Sequence, residues 1–148
     1  MWSRDIAGGV NGQSAFALAV TYGNGDVYVG GEFSGSADFR EGSSVSLSLL
    51  GNTSATNAYV AAIDTTGSWV WASRSAGPPQ SVQSVTDLAV GPMGTIAVSG
   101  IFYDANQFWT NVSFGSIDLI RNPAAEGFVW LKKTSSLPAS RLISIQFP

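Results

Sequence analysis

The chain has 148 residues, the size of one ordinary domain. Charged residues make up 11%, well under the roughly 25% of a typical soluble domain, and 7 Lys/Arg stand against 10 Asp/Glu with no basic run. With 45% apolar residues a sizeable core can be buried, which excludes a charge-rich disordered chain, a coiled coil and a basic nucleic-acid binder. No apolar run reaches the roughly 18 residues of a membrane span, and Met1 is not followed by a charged-then-apolar leader. With no His and no Cys, the usual metal ligands, the usual general base, disulfides and thiol chemistry are all absent.

No stretch sustains an apolar period of 3.6. Short alternating segments rich in β-branched and aromatic residues are separated by Gly, Asn and Ser clusters, which predicts an all-β chain. A first strand is expected around Trp2 to Ile6. Phe16 to Thr21 is the next, followed by Asp26 to Phe33, with Gly23-Asn24-Gly25 as the turn. Asn and Gly accept the positive φ that tight hairpins need. Val45 to Leu50 is an extra strand, and Tyr59 to Asp64 with Ser68 to Ser73 form a hairpin around Thr65-Thr66-Gly67. Phe128 to Lys133 is a late strand, and Leu142 to Ile145 alternates like one.

Self-comparison reveals a period. Trp2 recurs as Trp71 and Ala7-Gly8 as Ala76-Gly77, 69 residues on. Leu18-Ala19-Val20 recurs 70 residues on as Leu88-Ala89-Val90, which makes the second hairpin loop, Gly91-Pro92-Met93, one residue shorter than the first. The run from Gly25 to Phe33 recurs from Gly94 to Phe102, and Tyr59-Val60 as Phe128-Val129, again at 69. The expected organisation is two tandem antiparallel β-sheet repeats, 1–69 and 70–138, with a tail over 139–148. Leu18, Val20, Val27, Val29, Phe33 and Val60 are expected in the core, with Leu88, Val90, Ile96, Val98, Phe102 and Val129 as their counterparts.

The matching pieces are Trp2, Leu18 to Val20, Gly25 to Phe33, Phe39, Asn57 to Asp64, Gly67 and Trp71, and the second copy matches through Lys133. This order resembles the SBBP-type β-propeller repeat of bacterial and archaeal extracellular proteins. The resemblance implies one four-stranded blade per repeat and an extracellular or cell-surface location. None of the motifs is catalytic. The second copy lacks the closing Asp-x-x-Gly and Trp, and Ser140 takes the Trp71 position. Two blades are fewer than the roughly 4–8 of a closed propeller. The missing faces are expected from the rest of a larger propeller, from other copies of the chain in a ring or filament, or from the two sheets packing on each other. In particular, strand 2–6 of one copy is expected to pair with strand 127–133 of the next, with Leu142 to Ile145 as the competitor for that edge.

Candidate chemistry is sparse. Trp2 and Trp71 keep the repeat phase and read as packing residues. Trp109 lies in six extra residues of the second copy, and an exposed excursion over 103–113 is expected there. Its Tyr103, Asp104, Asn106, Phe108 and Trp109 suit contact with a partner or a glycan. Asn52 and Asn111 each begin a glycosylation acceptor triplet and are expected in loops. No calcium-loop pattern orders the carboxylates, so no metal or cofactor is expected. A serine nucleophile would have only Lys132 or Lys133 as base, without an elbow motif, so no catalytic residue is assigned. The leading expectation is a non-catalytic scaffold or interaction module, and the alternative is a lectin-like carbohydrate binder.

Overall fold

The computed structural model describes residues 2–8, 13–104, 111–114, 117–120, 127–133 and 141–143. Every element among them is a strand except a single 3₁₀ turn at Pro92–Gly94. No helix among the described residues is long and apolar enough to cross a membrane. The strands are β1 (Asp5–Gly8), β2 (Ala15–Gly23), β3 (Asp26–Ser34), β4 (Ser36–Glu41), β5 (Ser44–Leu50), β6 (Thr56–Ile63) and β7 (Trp69–Ala76). There follow β8 (Ser81–Gly91), β9 (Thr95–Asp104), β10 (Asn111–Phe114), β11 (Ile117–Ile120), β12 (Gly127–Lys133) and β13 (Arg141–Ile143).

A first sheet pairs β2, β3, β6 and β7 antiparallel in that order. A second sheet pairs β8, β9, β12 and β13 in the same way. Two hairpins attach to them. β4–β5 pairs through β4 with β1, and β10–β11 pairs through β10 with β7. A parallel bridge at Thr56 and Val82 links β6 to β8. The sheets do not close into a ring.

Turn chemistry explains the first hairpin. Asn24 and Gly25 both take positive φ, 53° and 89°, as a two-residue primed turn requires. The second hairpin turns through three residues, Pro92-Met93-Gly94, where Gly94 supplies the positive φ of 72°. Its loop is therefore one residue longer than the first, not shorter. The ladders agree: Val20 pairs with Val29 as Leu88 pairs with Val98, and both strands carry a bulge, at Ala17/Ala19 and at Val85/Asp87. Thus β8 follows β2 at a spacing of 68, and the Leu-Ala-Val match at 70 is a chance similarity two residues out of register. Leu18 is the extra residue of the first bulge, and Thr86 of the second.

The core has two parts. Tyr28, Ala58, Val60 and Ala62 on one face of the first sheet meet Val85, Leu88, Ile96, Val98 and Phe102 of the second. On the opposite face, Phe33, Tyr59, Ala61 and Ile63 pack with Ala37, Phe39 and Trp69 under the β4–β5 hairpin. Trp69 stands edge-on to Phe39 at 4.9 Å between ring centroids, a favoured aromatic geometry. The expected burial holds for Phe33, Val60, Leu88, Ile96, Val98 and Phe102. It fails for Leu18, which the bulge leaves 53% exposed, and for Val20, 70% exposed because nothing described covers its face. Val27, Val29 and Val90 are half-buried, and the Val129 side chain lies outside the described residues.

Between the sheets runs a buried polar chain. Ser75 Oγ donates to Gln83 Oε1 at 2.6 Å, Gln83 Nε2 to Ser81 Oγ at 2.5 Å, and Ser81 Oγ to the Pro78 carbonyl at 2.6 Å. The Ala58 amide closes the chain by donating to Ser75 Oγ at 2.9 Å. Buried polar groups must be satisfied, and this chain fixes β8 against β6 and β7.

Candidate interaction surface

The part of the first sheet's second face that the β4–β5 hairpin leaves open presents Ala17, Val20 and Tyr22, with Val29 half-buried at its margin. Val20 and Tyr22 are 70% and 68% exposed, and Phe16 and Leu18 on the same strand are also exposed. β-Strand alternation puts Val20 and its ladder partner Val29 on one face. Beside them lies a concavity of about 320 Å³ lined by Trp2, Arg4, Ile6, Ala17, Val20, Val29, Ile63 and Trp69.

Local chemistry builds its wall. Asp64 organises the β6–β7 turn: its Oδ1 accepts from the Thr66 and Ser68 amides, both at 2.9 Å, and from Thr66 Oγ1 at 2.6 Å. The Thr66 hydroxyl bond, with the amide bonds behind it, holds this carboxyl below its ordinary value. The turn brings Gly67 to a φ of 90°, and the Trp2 ring lies so close that a Cβ on Gly67 would sit 2.7 Å from it. Arg4 Nε donates to the Gly67 carbonyl, and the Arg4 guanidinium stands 5.6 Å from the centre of the Trp2 ring. The segment ahead of β1 is thereby pinned to the end of β6. Trp2 stays 41% exposed, while Trp71 packs against the inter-sheet core beside Tyr28.

Of the contact residues singled out in the second copy, only Tyr103 and Asp104 are among the described residues. Tyr103 is 40% exposed in β9, and Asp104 ends that strand opposite Ser81. Asn106, Phe108 and Trp109 lie outside the described residues. The two ends of the expected 103–113 excursion are strand instead: residues 103–104 belong to β9, and 111–113 to β10, which pairs with β7 and β11. Asn111 accordingly lies in a strand, opposite Ile120, and not in a loop. A strand position follows from Val112 and Phe114 alternating with polar residues beside the β7 edge. Asn52 does lie in a loop, where its Oδ1 accepts from the Ser54 amide at 2.9 Å.

The carboxylates serve turns and ladders. Asp38 accepts from Ser48 Oγ at 2.7 Å and lies 3.6 Å from Arg40, and Asp87 caps the Leu88 amide at 2.8 Å. Among the described residues no three His, Cys, Asp or Glu converge as a metal set would require. The expected strand addition meets a correction. β13 pairs with β12 through Val129 and Ile143, so the edge proposed for strand 2–6 of another copy is occupied by the chain's own tail. The competing pairing of 142–145 with strand 2–6 does not form either, since β1 pairs with β4 and β13 with β12.

The open face is not legible in the sequence, because Val20 and its ladder counterpart Leu88 are both apolar and only a neighbouring sheet decides which is covered. The turn reveals the register alone. Asn24-Gly25 makes a two-residue turn, which returns Gly23 to the strand and sets the spacing at 68. No family model matches the chain, and no characterised protein sequence or solved structure matches it either.

Proposed function

We propose that this chain is a non-catalytic β-repeat module of the extracellular space or cell surface, acting as a scaffold or interaction surface within a larger propeller, ring or filament. One observation carries the reading. The pairing order β2-β3-β6-β7 recurs as β8-β9-β12-β13, with corresponding registers, on two sheets that stack face on face. Such units bury their faces only against neighbours, and the β2 part of one face of the first sheet is left open among the described residues. The likeness to SBBP-type blades supports the same reading, as do the low charge and the absence of Cys.

The alternative is a lectin-like module. Trp2 and Tyr22, both exposed beside the concavity, are the observation in its favour, since aromatic faces stack on sugars. Glycan-array binding together with light scattering decides between them. The scaffold reading expects no saccharide retained and a particle larger than one chain. A saccharide bound by the intact protein and lost in Trp2→Ala establishes the lectin and overturns the scaffold.

A further inference from the structure

The contact between the two sheets is not symmetric. The first sheet offers Ala19, Tyr28, Gly30, Val60 and Ala62, and the second receives them on Val85, Leu88, Val90, Ile96 and Val98. By ladder position, the counterparts of those receiving residues in the first sheet are Ala17, Val20, Tyr22, Val27 and Val29. Ala17, Val20 and Tyr22 form the open part of that face, and Val27 and Val29 are half-buried against the second core cluster at its margin. Val85 and Leu88 are 0% and 6% exposed, whereas Val20 and Tyr22 are 70% and 68% exposed. The same surface is thus buried once within the chain and open once.

Resting on the scaffold reading above, we propose that the open β2–β3 face docks a second copy of this chain. The partner contributes the outer face of its β8, β9 and β12 strands, added by the same head-to-tail step that stacks the second sheet on the first. Three features support this occupant. First, the offering face needs small residues where the neighbour's side chains enter. Within the chain, Val90 lies over Gly23, where a Cβ would come within 2.8 Å of the Val90 Cβ, and Val85 lies over Gly30, where the distance would be 3.2 Å. The matching positions on the second sheet are Gly91 and Ser99, again small. Gly91 has nothing nearer than 3.6 Å around its Cβ site, which leaves room for an incoming Tyr22. Second, Ala97 and Ser99 take on that outer face the ladder positions that Tyr28 and Gly30 hold on the first sheet, and their register partners Leu131 and Val129 take those of Ala62 and Val60. Third, Asp87 occupies on it the ladder position of Ala19, and the open face carries the Arg4 cation on its wall, so the charges have opposite sign.

Because the two faces differ, the contact is heterologous and repeats until a ring closes or a filament grows. β1 pairs with β4 in the register in which β7 pairs with β10, so in this step β1 takes the fourth-strand place beside the partner's β12 and the partner's β13 yields it.

The chain contains no Cys, which makes disulfide trapping specific. The internal template brings Ala17 of one copy against Ser99 of the next and Tyr22 against Gly91, close enough that a small shift reaches the roughly 3.5–4.5 Å between Cβ atoms that a disulfide needs. The proteins Ala17→Cys/Ser99→Cys and Tyr22→Cys/Gly91→Cys should oxidise to a ladder of covalent multimers, and Leu50→Cys/Ser99→Cys should not. Light scattering should show concentration-dependent association of the unaltered protein. Val20→Asp and Tyr22→Glu, both at exposed positions, should weaken it at least tenfold with the circular dichroism spectrum unchanged, and Val70→Asp should leave it as it is. A protein that stays monomeric at all concentrations and forms no ladder overturns the proposal. So does a larger particle that neither cysteine pair traps, although the scaffold reading then stands. Efficient self-crosslinking of Tyr22→Cys alone indicates a symmetric contact and also overturns it. A saccharide in the concavity that dissolves the particle overturns both.

Discussion

Asp64 and Tyr59 show how single side chains hold this fold. The Asp64 carboxylate accepts bonds from Thr66 and Ser68 in the turn that carries Gly67 to Trp2. Its folded-state pKa is depressed, so its stabilisation is present above the ordinary carboxylate value of about 4 and is lost as pH falls through the lower folded value. Asp64→Ala should lower the melting temperature at neutral pH, and the gap from the unaltered protein should close in strong acid; a gap independent of pH defeats this account. Tyr59 is fully buried, and its hydroxyl donates to the Phe16 carbonyl at 3.1 Å. Burial pushes its phenol far above the ordinary value, so stability is intact below about pH 10 and is lost as pH rises beyond it, where the unfolded state ionises first. Tyr59→Phe should cost about 1 kcal/mol at neutral pH, and denaturant titrations should show that difference shrinking above about pH 10.

At the scale of elements, the first hairpin depends on two left-handed residues and the inter-sheet junction on one polar chain. A Cβ at Gly25 would meet nothing within 4 Å, so Gly25→Ala tests the backbone alone. At a φ of 89° it should cost about 1 kcal/mol, read from the denaturation midpoint; an unchanged midpoint would show that the turn readjusts freely. Gln83→Ala leaves the oxygens of Ser75 and Ser81 without their shared partner. Destabilisation of about 1–3 kcal/mol is expected, and a neutral result would mean that water replaces the amide. These elements were largely legible in advance. Asn24-Gly25 announces its turn, and the alternation from Asp26 to Phe33 announces a strand, because both signals are local. Residues 36–41 and 111–114 carry no comparable turn signal, and although their hairpin partners β5 and β11 are adjacent in sequence, their attachment to β1 and β7 is not.

For the whole molecule, corresponding residues on the two sheets should respond differently to the same change. Leu88 is buried under the first sheet, and its counterpart Val20 faces solvent. Leu88→Ala should cost about 2–5 kcal/mol, the range for truncating a buried leucine. Val20→Ala should change folding stability by less than about 0.5 kcal/mol, both measured by denaturation at high dilution. Equal losses at the two positions would mean that the first sheet is covered even in the isolated chain.

What the sequence by itself determined is the class of structure. Period-2 alternation, turn residues and the recurrence of Phe33 as Phe102 and of Tyr59-Val60 as Phe128-Val129 are local or simply repeated signals, and they lead to an all-β chain. What only the tertiary structure decided is which of two corresponding surfaces is covered. Leu18 and Val20 read as core because their chemistry is that of core residues. Whether they are buried depends on the bulge at Ala17/Ala19, which sets the phase of the strand, and on the presence of a neighbouring sheet. A bulge shifts every side chain beyond it by one position, and a neighbour's presence is encoded in no single strand. The candidate surface therefore became visible only once the ladders had placed Val20 opposite Val29 and Leu88 opposite Val98.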